Sequence, residues 1–166
     1  MALIGLVIDL RNNPGGLVNE AINIAEAIVP KGKELLITRD KNEKETITKS
    51  KKDNYVDVPV IVLVNQYSAS ASEILAGALK DNNSAQIIGV KTYGKGVIQQ
   101  VFTLPDGSVV KITTEEYVTP ARNKIHKVGI SPDISIDFED NSVYTSKMLE
   151  EDDVQLQKAI EVLRGI

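Results

Sequence analysis

Apolar residues crowd positions 2–10 (ALIGLVIDL) without a helical interval, and the RNNPGG that follows at 11–16 has the composition of a loop. From 17 to 29 apolar residues return at intervals of three and four. Leu17, Ala21, Ile24, Ala25 and Ile28 share one face, which predicts a helix. The order repeats further on: VDVPVIVLVN (56–65) reads as a buried strand, QYSAS as a turn, and about 72–81 as a helix with Ile74, Leu75, Ala78 and Leu79 on one side. Two strand–loop–helix units predict an α/β layered fold.

Between these units, residues 31–53 hold eight Lys or Arg and five Asp or Glu around a short ELLIT strand, and are expected to form a solvated hairpin or loop. After the second helix, AQIIGV, VIQQVFTL, the turn signal LPDGS and VVKITTEEYVT read as strands with a hairpin. An acidic stretch from Asp137 to Asp153 precedes a last helix near 152–164, with Leu156, Ala159, Ile160 and Leu163 as its apolar stripe. Asp152 and Asp153 suit the positive end of that helix.

The chain of 166 residues is the length of one ordinary domain, and 42% apolar with 25% charged residues is a globular composition. No apolar run approaches the roughly 20 residues of a membrane span. A net charge of -4 gives no cationic field for a phosphate backbone, so nucleic acid is not an expected partner. Cysteine is absent, which removes disulfides and thiolate metal sites and leaves the compartment open. The abrupt start, Met1 and Ala2 running straight into LIGLVIDL, suggests a piece cut from a longer protein.

The candidate chemistry lies at the second strand-to-helix turn. Ser70 and Glu73 have the spacing of a capping box, and a serine before a helix is a cap far more often than a nucleophile. A tight turn of this kind also sets one side chain beside unpaired N–H groups and the positive helix end, where an oxyanion is stabilised. That is the logic of a nucleophile elbow, although G-x-S-x-G itself is absent. A serine needs a base. His126, the single histidine, sits among basic neighbours in RNKIHKVG with nothing local to make it a triad member, while Lys95 lies between two glycines in TYGKGVIQQ. A Ser-Lys pair is a known variant; on composition alone, Lys95 reads as a turn lysine pointing into water. GVKTYGKG (89–96) imitates a phosphate-binding loop, but Gly96 replaces the Ser or Thr that would hold magnesium, and no helix follows. One histidine, no cysteine and no tight carboxylate cluster leave zinc without ligands.

GLVIDLRNNPGG, VLVNQYSASASEILAGAL, GVKTYGKGVIQQ and VGISPDI occur in the order and at about the distances found in the carboxyl-terminal processing proteases, so that residues 3–137 resemble that family. The resemblance implies a single protease core domain across 1–166 on the crotonase and Clp protease fold of repeated β-β-α units. It implies a serine endopeptidase that cuts near protein C-termini and needs no cofactor. Ser70 is then the nucleophile, Lys95 the general base and Gln99 the residue that orients the lysine; the oxyanion donors are the N–H of Ala71 and of a glycine in NNPGG, Gly16 rather than Gly15. The family's PDZ domain and upstream core elements are not in this chain, Arg122 stands where a glycine is expected, and 138–166 match no motif. Family members work outside the cytoplasm, often tethered to a membrane, with the PDZ domain in cis presenting a protein tail; substrate is expected to join an exposed sheet edge as an extra strand.

An ordinary lysine needs about 4.6 kcal/mol to be neutral at pH 7. Lys95 is therefore expected to be enclosed by apolar neighbours such as Val97 and Ile98. Were Gln99 on a fully extended strand, its Cα would lie about 13 Å from that of Lys95, so a turn around Gly96 has to shorten the path, or Gln99 is a strand residue only. Two alternatives stand beside the protease. One is a binding or scaffold module of the same fold, with Ser70 a helix cap and the exposed core covered by a second copy of the chain; the other is an acyl-CoA enzyme on the same scaffold.

Overall fold

The computed structural model describes residues 3–53, 55–138, 145 and 148–165. Its elements are β1 (Leu6–Asp9), α1 (Val18–Glu26), β2 (Glu34–Asp40), β3 (Glu45–Lys49), β4 (Val60–Val64), α2 (Ala71–Asp81), β5 (Gln86–Gly89), β6 (Val97–Thr103), β7 (Val109–Val118), β8 (Ile134–Ser135) and α3 (Val154–Gly165), with a 3-10 turn at Glu150–Asp152. Positions 139–144, 146 and 147 of the acidic stretch lie outside the described residues.

Two sheets form. The first is parallel, in the order β1-β4-β5-β8. The second is antiparallel, in the order β3-β2-β7-β6. Every residue of β4 is buried, because both faces of the parallel sheet are covered. Val60, Val62 and Val64 pack with Ala21, Ala25, Ile74 and Leu75 of α1 and α2. Ile61 and Leu63 point the other way, to Ile88 and Ala159, with Leu156 and Leu163 of α3 against them. A fully buried aliphatic side chain stabilises by roughly 1.5–3 kcal/mol, so this period-two division anchors the chain on both sides.

Helix α2 is buried from Ala71 to Leu79, as a helix lying between two layers must be. On one side it meets β4; on the other, Leu35 and Leu36 of β2 and Tyr117 of β7 belong to the same cluster. Residues 31–53 do form a hairpin, β2–β3, but Leu35, Leu36 and Ile37 are buried and β2 is an inner strand, not a solvated excursion. Charge counting misplaced it because the charged residues flank the strand while its middle is apolar. Leu17 and Ile24 differ from expectation in the other direction: they are 73% and 45% exposed, and α1 buries the smaller Ala21 and Ala25. Among the described residues, no helix is long and apolar enough to cross a membrane.

The β6–β7 arm extends past the core. Gln99 to Thr103 are exposed, as are Val109, Val110 and Ile112 across the ladder.

Candidate active site

The three serines have separate tasks. Ser68, fully buried, donates to Leu10 O at 2.7 Å and accepts from Asn65 N–H at 2.9 Å, so it ties the end of β4 to the end of β1. Ser72 donates to Asn13 O at 3.1 Å. Both therefore hold the RNNPGG loop against the start of α2. Ser70 lies between them at φ 57°, ψ −117°, a backbone conformation that L residues seldom adopt and that functional turns retain under strain. The turn at Ser70 is thus both the predicted cap and a strand-to-helix elbow.

Glu73 maintains that elbow. Its carboxylate is fully buried and accepts the N–H of Ser70 at 2.9 Å and of Lys95 at 2.8 Å on Oε2, with Gly94 N–H at 2.7 Å and the Thr92 hydroxyl at 2.6 Å on Oε1. Four donors offset the cost of burying a carboxylate. The capping box predicted from the sequence is present, but the same side chain also fastens the 92–95 segment to the elbow. Sequence reasoning saw only the first role; the available signal was a carboxylate inside a helix that is otherwise buried and apolar.

Lys95 is brought to the elbow by its backbone, and its side chain is exposed. The expected enclosure by Val97 and Ile98 does not occur: these two are half-buried, and the arm beyond them stands in solvent. Gln99 is an exposed residue of β6, opposite Thr113 and next to a register shift between Ile98 and Gln99. The strand begins directly after Gly96, so no turn folds Gln99 back onto Lys95. His126 is half-buried, its Nδ1 without a hydrogen-bond partner.

The loop glycines are distinguishable. Gly15 has φ +95°, and a Cβ there would lie 2.6 Å from Ala69 O and 2.8 Å from Ala71 N, so this glycine is what lets the loop press on the elbow. Its N–H donates to Asn13 Oδ1 at 2.9 Å. Among the described residues the N–H groups of Gly16 and Ala71 take part in no hydrogen bond. A hollow of about 160 Å³ opens beside them, lined by Leu17, Ala21, Ile24, Ala71 and Leu75, with Asn13, Glu20 and Ser72 as its polar members.

Two further groups were not legible in advance. Tyr117, 2% exposed, directs its hydroxyl at Ser70 Oγ, 3.2 Å away, and at Lys95 O. Arg11, at the root of the loop, donates to both oxygens of Asp153 at 2.7 Å and to Asp9 at 3.0 and 2.7 Å. Asp153 in turn accepts Leu156 N–H at 3.0 Å and so caps α3. Arg122 adopts φ 63°, the left-handed conformation that explains why a glycine was expected there, and its side chain pairs with Glu34 at 2.9 Å.

The chain is 42% identical over 161 residues to the carboxyl-terminal-processing protease of Synechocystis sp., covering 97% of this chain and 37% of that protein. It is 46% identical over 137 residues to the chloroplastic C-terminal processing peptidase of Tetradesmus obliquus, covering 81% and 29%. It therefore spans about a third of the length of the curated relatives it matches. Among solved structures, the photosystem II D1 C-terminal processing protease superposes with a TM-score of 0.78 at 43% identity, over 81% of this chain and 35% of that one. The tricorn protease, at 23% identity and a TM-score of 0.56 over 96% of this chain and 15% of that one, shares the fold. The profile of peptidase family S41 matches residues 2–136, a stretch that holds the elbow, its carboxylate clamp and Lys95, and the chain belongs to that family.

Proposed function

We propose that this chain carries the catalytic centre of a serine endopeptidase that cuts proteins near their C-termini, with Ser70 as nucleophile and Lys95 as general base. The observation that carries the reading is the strained backbone of Ser70 at the head of a buried helix, clamped through Glu73 to the amide of Lys95. In the reaction, Ser70 Oγ attacks the peptide carbonyl while the neutral lysine amine takes the serine hydrogen. The carbon–nitrogen bond then breaks as that hydrogen passes to the leaving amine, and water clears the acyl-enzyme by the same route. The free N–H groups of Ala71 and Gly16 are the donors proposed for the oxyanion; Gln99, which is exposed on β6 in the free chain, is proposed to orient Lys95 only once a bound peptide has reshaped the start of that strand.

A lysine surrounded by water is a poor base, so arrival of the substrate has to supply the enclosure missing at Lys95. A peptide laid along an open sheet edge would do so, and β6 is such an edge among the described residues. The hollow beside Ala71 suits a small apolar side chain of that peptide. The names of the relatives support tail processing, and one of them is chloroplastic; a site of action outside the cytoplasm is proposed from the family resemblance. A PDZ domain in cis and a second copy of the chain are the partners proposed for the longer protein.

One observation favours a non-catalytic binding module: the exposure of Lys95. A fluorophosphonate probe decides between them. Labelling at Ser70 that disappears in Lys95→Ala and persists in His126→Ala supports the dyad. Labelling unaffected by Lys95→Ala, or no labelling of Ser70 even in the full-length protein, sinks it.

A further inference from the structure

Tyr117 is held near the end of β7, where its backbone pairs with Thr38 of β2 and its N–H donates to Gly96 O at 3.0 Å. Its side chain passes through the buried cluster under α2 and ends between the two halves of the proposed site. The hydroxyl contacts Lys95 O and, at 3.2 Å, Ser70 Oγ. A phenol carries one hydrogen, and a carbonyl oxygen has none to give. The Tyr117 hydrogen therefore goes to Lys95 O, which leaves the serine hydrogen directed at the phenol oxygen. Burial pushes the phenol up from its ordinary value, so Tyr117 keeps its hydrogen throughout the neutral range.

We infer that Tyr117 is a further catalytic residue: its phenol oxygen fixes Ser70 Oγ at the elbow and holds the serine hydrogen until the Lys95 amine takes it. The inference rests on the Ser-Lys reading above. During attack, the bond between Oγ and its hydrogen breaks toward the neutral amine as the bond from Oγ to the carbonyl carbon forms. The phenol neither gains nor loses a proton; it keeps its own on Lys95 O. Without it, the serine side chain keeps only the capping-box bond from Glu73 N–H, samples its other staggered positions more often, and fewer molecules are in place for attack. The same hydroxyl fixes the carbonyl of the residue that provides the base, so both partners are located by one group.

The test is Tyr117→Phe, which keeps the ring and removes the oxygen, assayed below its melting transition in the full-length protein. The expected result is a fall of about tenfold in kcat and in the labelling rate of Ser70 by a fluorophosphonate, a loss of one hydrogen bond's magnitude, with KM within about twofold. A lowered melting temperature with an unchanged rate makes Tyr117 a packing residue and overturns the inference. Should Tyr117→Phe not fold, tyrosine labelled with carbon-13 at Cζ decides the contact without it. Of the five tyrosines, Tyr117, assigned by through-bond correlation, is expected to shift in Ser70→Ala; an unmoved resonance overturns the inference. Absence of labelling in the wild-type protein counts against the Ser-Lys reading, and the resonance still reports on Tyr117.

Discussion

Ser70 and Lys95, far apart in the chain, give their backbone N–H groups to the same oxygen of Glu73, at 2.9 and 2.8 Å. The relation fixes the two backbones to one point. Glu73→Gln replaces one acceptor oxygen with an amide NH2 that faces donors on whichever side it is turned. The expected cost is at least about 3 kcal/mol of stability, and more than a tenfold loss of labelling at Ser70. Urea unfolding measures the first; a variant as stable as the wild type would show that the four hydrogen bonds are dispensable.

Neighbouring glycines should respond differently to alanine. Gly15→Ala forces a Cβ to within 2.6 Å of a backbone oxygen at φ +95°, and is expected to cost more than about 1 kcal/mol and to displace the loop from the elbow. At Gly16, nothing lies within 4 Å of the added carbon and the N–H is retained, so stability and activity should stay near those of the wild type. Melting curves and labelling rates of the two variants side by side test this, and equal behaviour would refute it.

Acid should loosen the root of the loop. Burial alone pushes the Asp153 carboxyl up, but hydrogen bonds from Arg11 and Leu156 N–H, with the charge of Arg11, outweigh it and hold the group below the ordinary carboxylate range. A carboxyl depressed in this way adds stability above the unfolded value of about 4 and loses it as the pH falls through the lower folded value. The pair is buried, with side chains 1% and 5% exposed, so Asp153→Asn is expected to cost about 3 kcal/mol at neutral pH and to flatten the acid limb. Melting temperatures from pH 7 to pH 3 check the sign; parallel curves for the two proteins would contradict it.

Lys95 should be open to reagents in the free chain and shielded when the site is filled. An amine-reactive acylating reagent followed by mass spectrometry is expected to modify Lys95 as readily as other exposed lysines. A peptide aldehyde attached to Ser70 should protect it at least severalfold. Equal modification with and without the aldehyde would mean that a bound peptide does not cover the amine, and would remove the proposed source of enclosure.

Local chemistry was readable where it is written in consecutive residues. The buried strand VIVLV, the cap at Ser70 and Glu73, and a helix over about 72–81, observed from Ala71, follow from composition and spacing. The preference for Gly16 over Gly15 came from the family resemblance and not from spacing; in the structure the N–H of Gly15 is engaged by Asn13. What escaped were contacts made only by folding. The oxygen of Tyr117 reaches Ser70 because β7 pairs with β2, and the carboxylate of Asp153 reaches Arg11 because α3 packs on the far face of the sheet. No interval in the chain announces either meeting. The expected enclosure of Lys95 failed for a related reason: of its apolar neighbours in sequence, Ile98 packs on the core cluster and not around the amine, and the strand beyond is exposed.

Because α2 is surrounded on every side from Ala71 to Leu79, the elbow at its head has no private hinge. The backbone of Ser70 can be displaced only by moving the scaffold that supports it, so a core substitution remote from the cleft, such as one at Leu79, should register as slower turnover while the protein still melts as a unit. Catalytic rate would then serve as a more sensitive gauge of interior packing than calorimetry.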